Sequence, residues 1–70
     1  GRGTRDGARG LYRAAGILAG PLHDEPRGLH LWKAIVARYP DTVSAEDALV
    51  RIVASYRRHN AVPALLSYLR

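Results

Sequence analysis

The residues able to do acid–base, nucleophilic or metal chemistry are few in this chain and poorly spaced for it. Its histidines, His23, His30 and His59, fall in three different segments, and no two stand four apart on one helix. A metal needs convergent donors, so no metal site is expected. Ser44, Ser55 and Ser67 sit in no local nucleophile motif. The acidic pairs Asp24-Glu25 and Glu46-Asp47 stand where helices are expected to begin. Carboxylates there complement the helix dipole, which explains them better than a paired acid–base site. No strand precedes Gly16 and Gly20 and no Gly-Lys-Ser/Thr follows them, so they form no phosphate loop. The absence of cysteine removes disulfides, thiolate metal sites and thiol nucleophiles. The expectation is a non-enzymatic chain with no catalytic residue and no cofactor.

What remains for function is surface. Eleven basic residues against six acidic ones give a net charge of +5, and every basic residue but Lys33 is arginine. A basic surface favours acidic partners, nucleic acid among them. A helix-turn-helix reader would use such a surface, with a third helix as its recognition element. Against it, the exposed side of that helix has few of the Asn and Gln residues that read base edges, and Glu46 and Asp47 would meet phosphates. Nucleic-acid binding is therefore the alternative, not the first reading. No apolar run is long enough to span a membrane, and the polar, glycine-rich start has no signal-peptide pattern. A first residue of Gly in place of Met is what a piece of a longer chain would show.

The elements that must carry this surface are helices. At 70 residues, 47% of them apolar, the chain is at most one small domain. Residues 1–7, with glycine at 1, 3 and 7, are expected to be a flexible tail before a helical domain over 8–70. Leu11, Ala15, Leu18 and Leu22 recur at helical spacing, and Gly20-Pro21 ends that helix. Asp24 followed by Pro26 opens a second, with Leu29, Trp32, Ile35, Val36 and Tyr39 as its apolar stripe and Pro40 as its stop. Trp32 on such a stripe is a core anchor. Ser44 is the expected N-cap of a third helix, with Asp47 in the capping-box place. Ala45, Ala48, Leu49, Ile52, Val53 and Tyr56 form one broad face of it. Arg57, Arg58 and His59 suit its C-terminal end, and Asn60 fits a left-handed stop. Pro63 starts a fourth, whose face is Val62, Leu65, Leu66 and Leu69. No stretch alternates as a strand does. The fold class is all-α: four antiparallel helices in two hairpins, 8–40 and 41–70.

The hairpins can be laid on each other. A shift of 37 brings Ala15 onto Ile52, Gly16 onto Val53, Ala19 onto Tyr56, Gly28 onto Leu65 and Trp32 onto Leu69, all expected at the helix–helix seam. A helical period in the thirties marks an α-solenoid. Tyr12, Ala15-Gly16 and Ala19, then Gly28, Trp32, Ile35 and Pro40, resemble the tetratricopeptide repeat (TPR) pattern. So do Ala48-Leu49, Ile52, Tyr56, Leu65 and Leu69 in the second unit. The joint Tyr39-Pro40-Asp41-Thr42 is similar to the Tyr-Pro-Asp-Ser/Thr turn of the bacterial envelope-associated variety. The likeness spans about 8–70, and it departs from the pattern at Ala19, Val53 and Leu65.

The resemblance implies a protein–protein interaction or assembly module. In that family the first helices of successive units line a concave groove that receives peptides. Carried over, the groove would present Arg13 and Ile17 from the first unit, and Asp47, Val50, Arg51, Ala54, Arg57 and Arg58 from the second. Arginine forks beside apolar Ile17 and Val50 would suit an acidic or carboxylate-ended peptide. Two units bury little, so Val62, Leu65, Leu66 and Leu69 are expected to pack on another copy or on a larger chain.

Overall fold

The computed structural model describes residues 2–70, with side chains from Asp6 onward. It contains α1 (Arg2–Ala19), α2 (Glu25–Arg38), α3 (Val43–Arg58) and α4 (Val62–Leu69), and no strand among the described residues. The all-α class expected from periodicity is the class observed. α2 packs along both α1 and α3, α1 touches α3, and the α4 backbone comes close to α3 alone. The array is open, because a closed four-helix bundle would bring the fourth helix back onto the first.

The first helix corrects the expected tail. It begins at Arg2, not near residue 8, and Ala8 is fully buried. Gly7 is held by tertiary contact: a Cβ there would stand 2.9 Å from Tyr39 Oη. Packing against the end of α2 overrides the poor helix propensity of the opening residues. Gly1 lies outside the described residues.

The stops and starts follow local chemistry. His23 takes φ 52° after α1, and the Asp24 N–H reaches back to the Leu18 carbonyl. Leu22, expected on the α1 face, falls in this turn and is exposed. Asp24 caps α2 by accepting from the Arg27 N–H, with Pro26 in the first turn. Tyr39 leaves the helix at φ −128°, as a residue before proline does. The cap of α3 is Thr42, not Ser44. Thr42 Oγ1 accepts from the Ala45 N–H at 3.1 Å and donates to the Tyr39 carbonyl at 2.8 Å. Ser44 is instead helical and buried. At the far end of α3, Asn60 sits at φ 54°, the Ala61 N–H bonds to the Tyr56 carbonyl and the Asn60 N–H to the Arg57 carbonyl. That is a Schellman stop, with asparagine where glycine is commonest.

One core runs through the first three helices: Ala8, Ala15, Trp32, Ile35, Ala45, Ala48 and Ile52. α1 can lie close because its contact residues are small. Gly28 of α2 sits so near α1 that a Cβ would stand 2.9 Å from both the Ala15 carbonyl oxygen and Ala19 Cβ. The seam positions paired by the 37-residue shift behave alike at Ala15 and Ile52 and at Gly28 and Leu65, all four buried. They part at Trp32, 6% exposed, and Leu69, 50% exposed, because no further helix covers α4. Gly16 is exposed, so it does not lie in the seam either.

Rings as well as the buried Leu65 hold α4. Tyr68 stacks on Tyr56 at 6.3 Å between centroids, and Lys33 Nζ lies 5.0 Å from the centroid of each. The same ammonium donates to Tyr56 Oη. The only lysine therefore ties α2 to α3 and α4 through cation–π attraction.

Candidate functional site

The contact of α1 with α3 leaves a groove containing two depressions. The larger, about 750 Å³, lies between the first half of α1 and the start of α3. Asp6, Arg9 and Arg13 line it from α1; Asp41 and Asp47 line it from the turn before α3 and from α3 itself. Two cations against three carboxylates make this cleft mixed, with a formal excess of one negative charge. The smaller, about 310 Å³, is lined by Gly16, Ala19, Gly20 and Tyr12 of the α1 side, by Arg51, Ala54 and Arg58 of α3, and by Trp32 of α2. Tyr12 borders both.

Helix periodicity explains why these side chains share a groove. Asp47, Arg51, Ala54 and Arg58 recur three and four apart, one ridge of α3 beside the buried row of Ala48, Ile52 and Ser55. Tyr12 and Gly16 are four apart on α1. Across the groove, Arg51 Nε donates to Tyr12 Oη at 3.3 Å. That hydrogen bond raises the arginine pKa still further above neutrality, with the Asp47 charge adding to it, so the cation is permanent. Arg51 makes no ion pair among the described residues.

Of the residues the family resemblance assigns to a groove, the structure brings Arg13, Asp47, Arg51 and Arg58 to its walls, with Ala54. Ile17 and Val50 are exposed but border neither depression, and Arg57 is exposed and outside both. Arg58 is already engaged. Its guanidinium pairs with Glu25, at the start of α2. Ser55 Oγ donates to the same carboxylate at 2.8 Å, and His59 Nε2 lies 3.0 Å from Oε1. The His59 hydrogen bond first, then those of Ser55 and Arg58, lower the Glu25 pKa to about 2 against the opposing effect of burial. A carboxylate this acidic is a poor proton acceptor near neutral pH. Ser55 donates to it and not to a histidine, which is the wrong order for an activated nucleophile. The cluster is a structural clasp between the start of α2 and the end of α3.

Sequence reading placed Glu25 only as a dipole partner and assigned no groove role to Tyr12 or Gly16. Glu25 is 30 to 34 residues from its three donors, and Tyr12 is 39 from Arg51. No local pattern signals either contact. Of the association residues, Leu65 is buried on the side of α4 facing α3, while Val62, Leu66 and Leu69 are 48%, 59% and 50% exposed. No group of histidine and carboxylate side chains that would suit a metal occurs among the described residues, and no helix is long and apolar enough to cross a membrane. Comparison with family models, with curated proteins and with solved structures finds no match.

Proposed function

We propose that this chain is a non-enzymatic, TPR-like interaction module that docks an extended peptide of a protein partner in the α1–α3 groove. The observation that carries this is the open cation of Arg51, held across the groove by Tyr12 and paired with no carboxylate among the described residues. A guanidinium in that state binds a carboxylate bidentately. The partner segment carries an acidic residue to meet Arg51. Toward Arg9, Arg13, Asp41 and Asp47 it carries mixed polar residues, because that cleft repels a continuous run of either sign.

Nucleic-acid binding fits less well. Phosphates tracking along Arg9 and Arg13 would meet Asp6, Asp41 and Asp47 in the same cleft. The second part of the proposal is assembly: Val62, Leu66 and Leu69 form the face by which α4 packs on another copy or a larger chain.

The test is selection from a random peptide library displayed on phage. Enrichment of acidic peptides, lost when Arg13→Glu and Arg51→Glu are combined in a folded variant, supports groove docking. Enrichment that survives the double reversal places binding elsewhere. A duplex oligonucleotide bound with a steep inverse salt dependence would favour the alternative.

A further inference from the structure

Gly16 stands in the second half of an 18-residue helix, where glycine weakens the helix. Nothing in the fold requires it. A Cβ built there meets no atom within 4 Å, whereas at Gly28 it would strike α1. The space over Gly16 belongs to the 310 Å³ depression, whose near walls are also short: Ala19, Gly20 and Ala54. Its remaining walls are the rings of Tyr12 and Trp32, the guanidinium of Arg51 and the side chain of Arg58, which Glu25 already holds. Trp32 is 6% exposed, and its Nε1 is buried with no hydrogen-bond partner. An indole N–H left this way is a donor that the fold itself does not use.

We propose that this depression is a side-chain subsite that takes one aromatic residue of the docked peptide, with Gly16 as its specificity-determining residue. The inference rests on the groove reading and adds to it what the groove selects. Short walls give the ring its room. Tyr12 and Trp32 give it aromatic neighbours, and the Arg51 guanidinium stacks on ring faces while reaching a neighbouring carboxylate.

The chain has one tryptophan, so one indole ¹⁵N–¹H resonance reports the pocket. The probes are three acetylated, amidated tripeptides, Glu-Tyr-Glu, Glu-Leu-Glu and Glu-Ala-Glu, titrated into the full chain. The tyrosine peptide should shift the indole resonance in a saturable way and bind at least about tenfold more tightly than the alanine peptide. Gly16→Leu should remove that preference with no loss of melting temperature, because its side chain enters open space. Ala54→Leu, which fills the pocket from α3, should do the same and guards against a local effect on α1.

An unmoved indole resonance, or equal binding of the three peptides, overturns the subsite. So does a tyrosine preference that persists in both filled variants. Groove docking stands or falls separately: if acidic peptides bind alike and lose affinity in Arg51→Glu, the groove survives without the pocket.

Discussion

Ser55, itself buried, donates its hydroxyl to the Glu25 carboxylate at 2.8 Å and so ties the last turn of α3 to the first turn of α2. The bond sets the end of a helix hairpin that has no covalent staple, since the chain has no cysteine. With Arg58 and His59 on the same carboxylate, Glu25 keeps its charge far below the usual range of a glutamate.

This clasp makes stability depend on pH in a defined window. The Glu25 pKa is lowered from 4.5 to about 2 in the folded chain. A lowered carboxylate pKa stabilises the fold fully above its unfolded value, and that contribution is lost as pH falls from about 4.5 toward 2. Arg58 and His59 are 63% and 61% exposed, so solvent screening leaves about 1–2 kcal/mol of it. Because pH 3 lies inside that window, urea titrations at pH 6 and pH 3 should differ by about 0.5–1 kcal/mol beyond the same difference in Glu25→Gln. An identical pH dependence in the two proteins would show that the clasp contributes nothing.

Two glycines should respond in opposite senses to the same methyl group. Gly28→Ala pushes a Cβ against the Ala15 carbonyl and Ala19, both fixed in α1, and should cost about 1–3 kcal/mol. Gly16→Ala meets open space in a helix and should stabilise by about 0.5–1 kcal/mol. Thermal melts of the two variants read the signs directly. A destabilised Gly16→Ala would mean that α1 is closer to α3 than described here.

Trp32 should dominate the core. Trp32→Ala removes the largest side chain of the cluster joining α1, α2 and α3, at a cost of about 3–5 kcal/mol, a large share of the stability of a chain this size. Trp32→Phe keeps a ring and removes the unpartnered N–H, so it should cost far less. If the two substitutions shift the chemical-denaturation midpoint equally, the indole is not packed as found.

The ring clamp on α4 predicts local rather than global loosening. Tyr68→Ala removes the stack on Tyr56 and one of the two rings over Lys33, worth about 1–2 kcal/mol together. An eight-residue helix has little stability of its own. Amide exchange at Leu66, Leu69 and Arg70 should accelerate while that of Ile35 and Ile52 stays slow. Uniform acceleration would place α4 inside the cooperative core instead.

The exposed face of α4 gives a concentration-dependent outcome. If Val62, Leu66 and Leu69 meet a second copy, sedimentation should show a dimer that Leu66→Glu with Leu69→Glu converts to monomer. A monomer at millimolar concentration in the unmodified chain would remove self-association from the proposal.

Sequence alone determined the helices and most of their ends. The apolar spacing of Leu29, Trp32, Ile35 and Val36, the Asp24-Glu25-Pro26 start and the left-handed Asn60 are local signals, read within a turn or two of the chain. Even so, local signals misplaced the cap of α3. Thr42 and Ser44 are both good caps, and the Tyr39 carbonyl, which holds the Thr42 hydroxyl, decided between them. Only tertiary packing could extend α1 back through Gly7, because the helix there is held by α2 and not by its own propensity. The same holds for function. The arginines of α3 were visible as a ridge, but their states were not: Arg58 is claimed by Glu25, and Arg51 is steadied by Tyr12 and left unpaired. Those partners lie more than thirty residues away in sequence, on other helices. Their identity is fixed by how α2 seats α1 against α3, a packing outcome that no periodicity encodes.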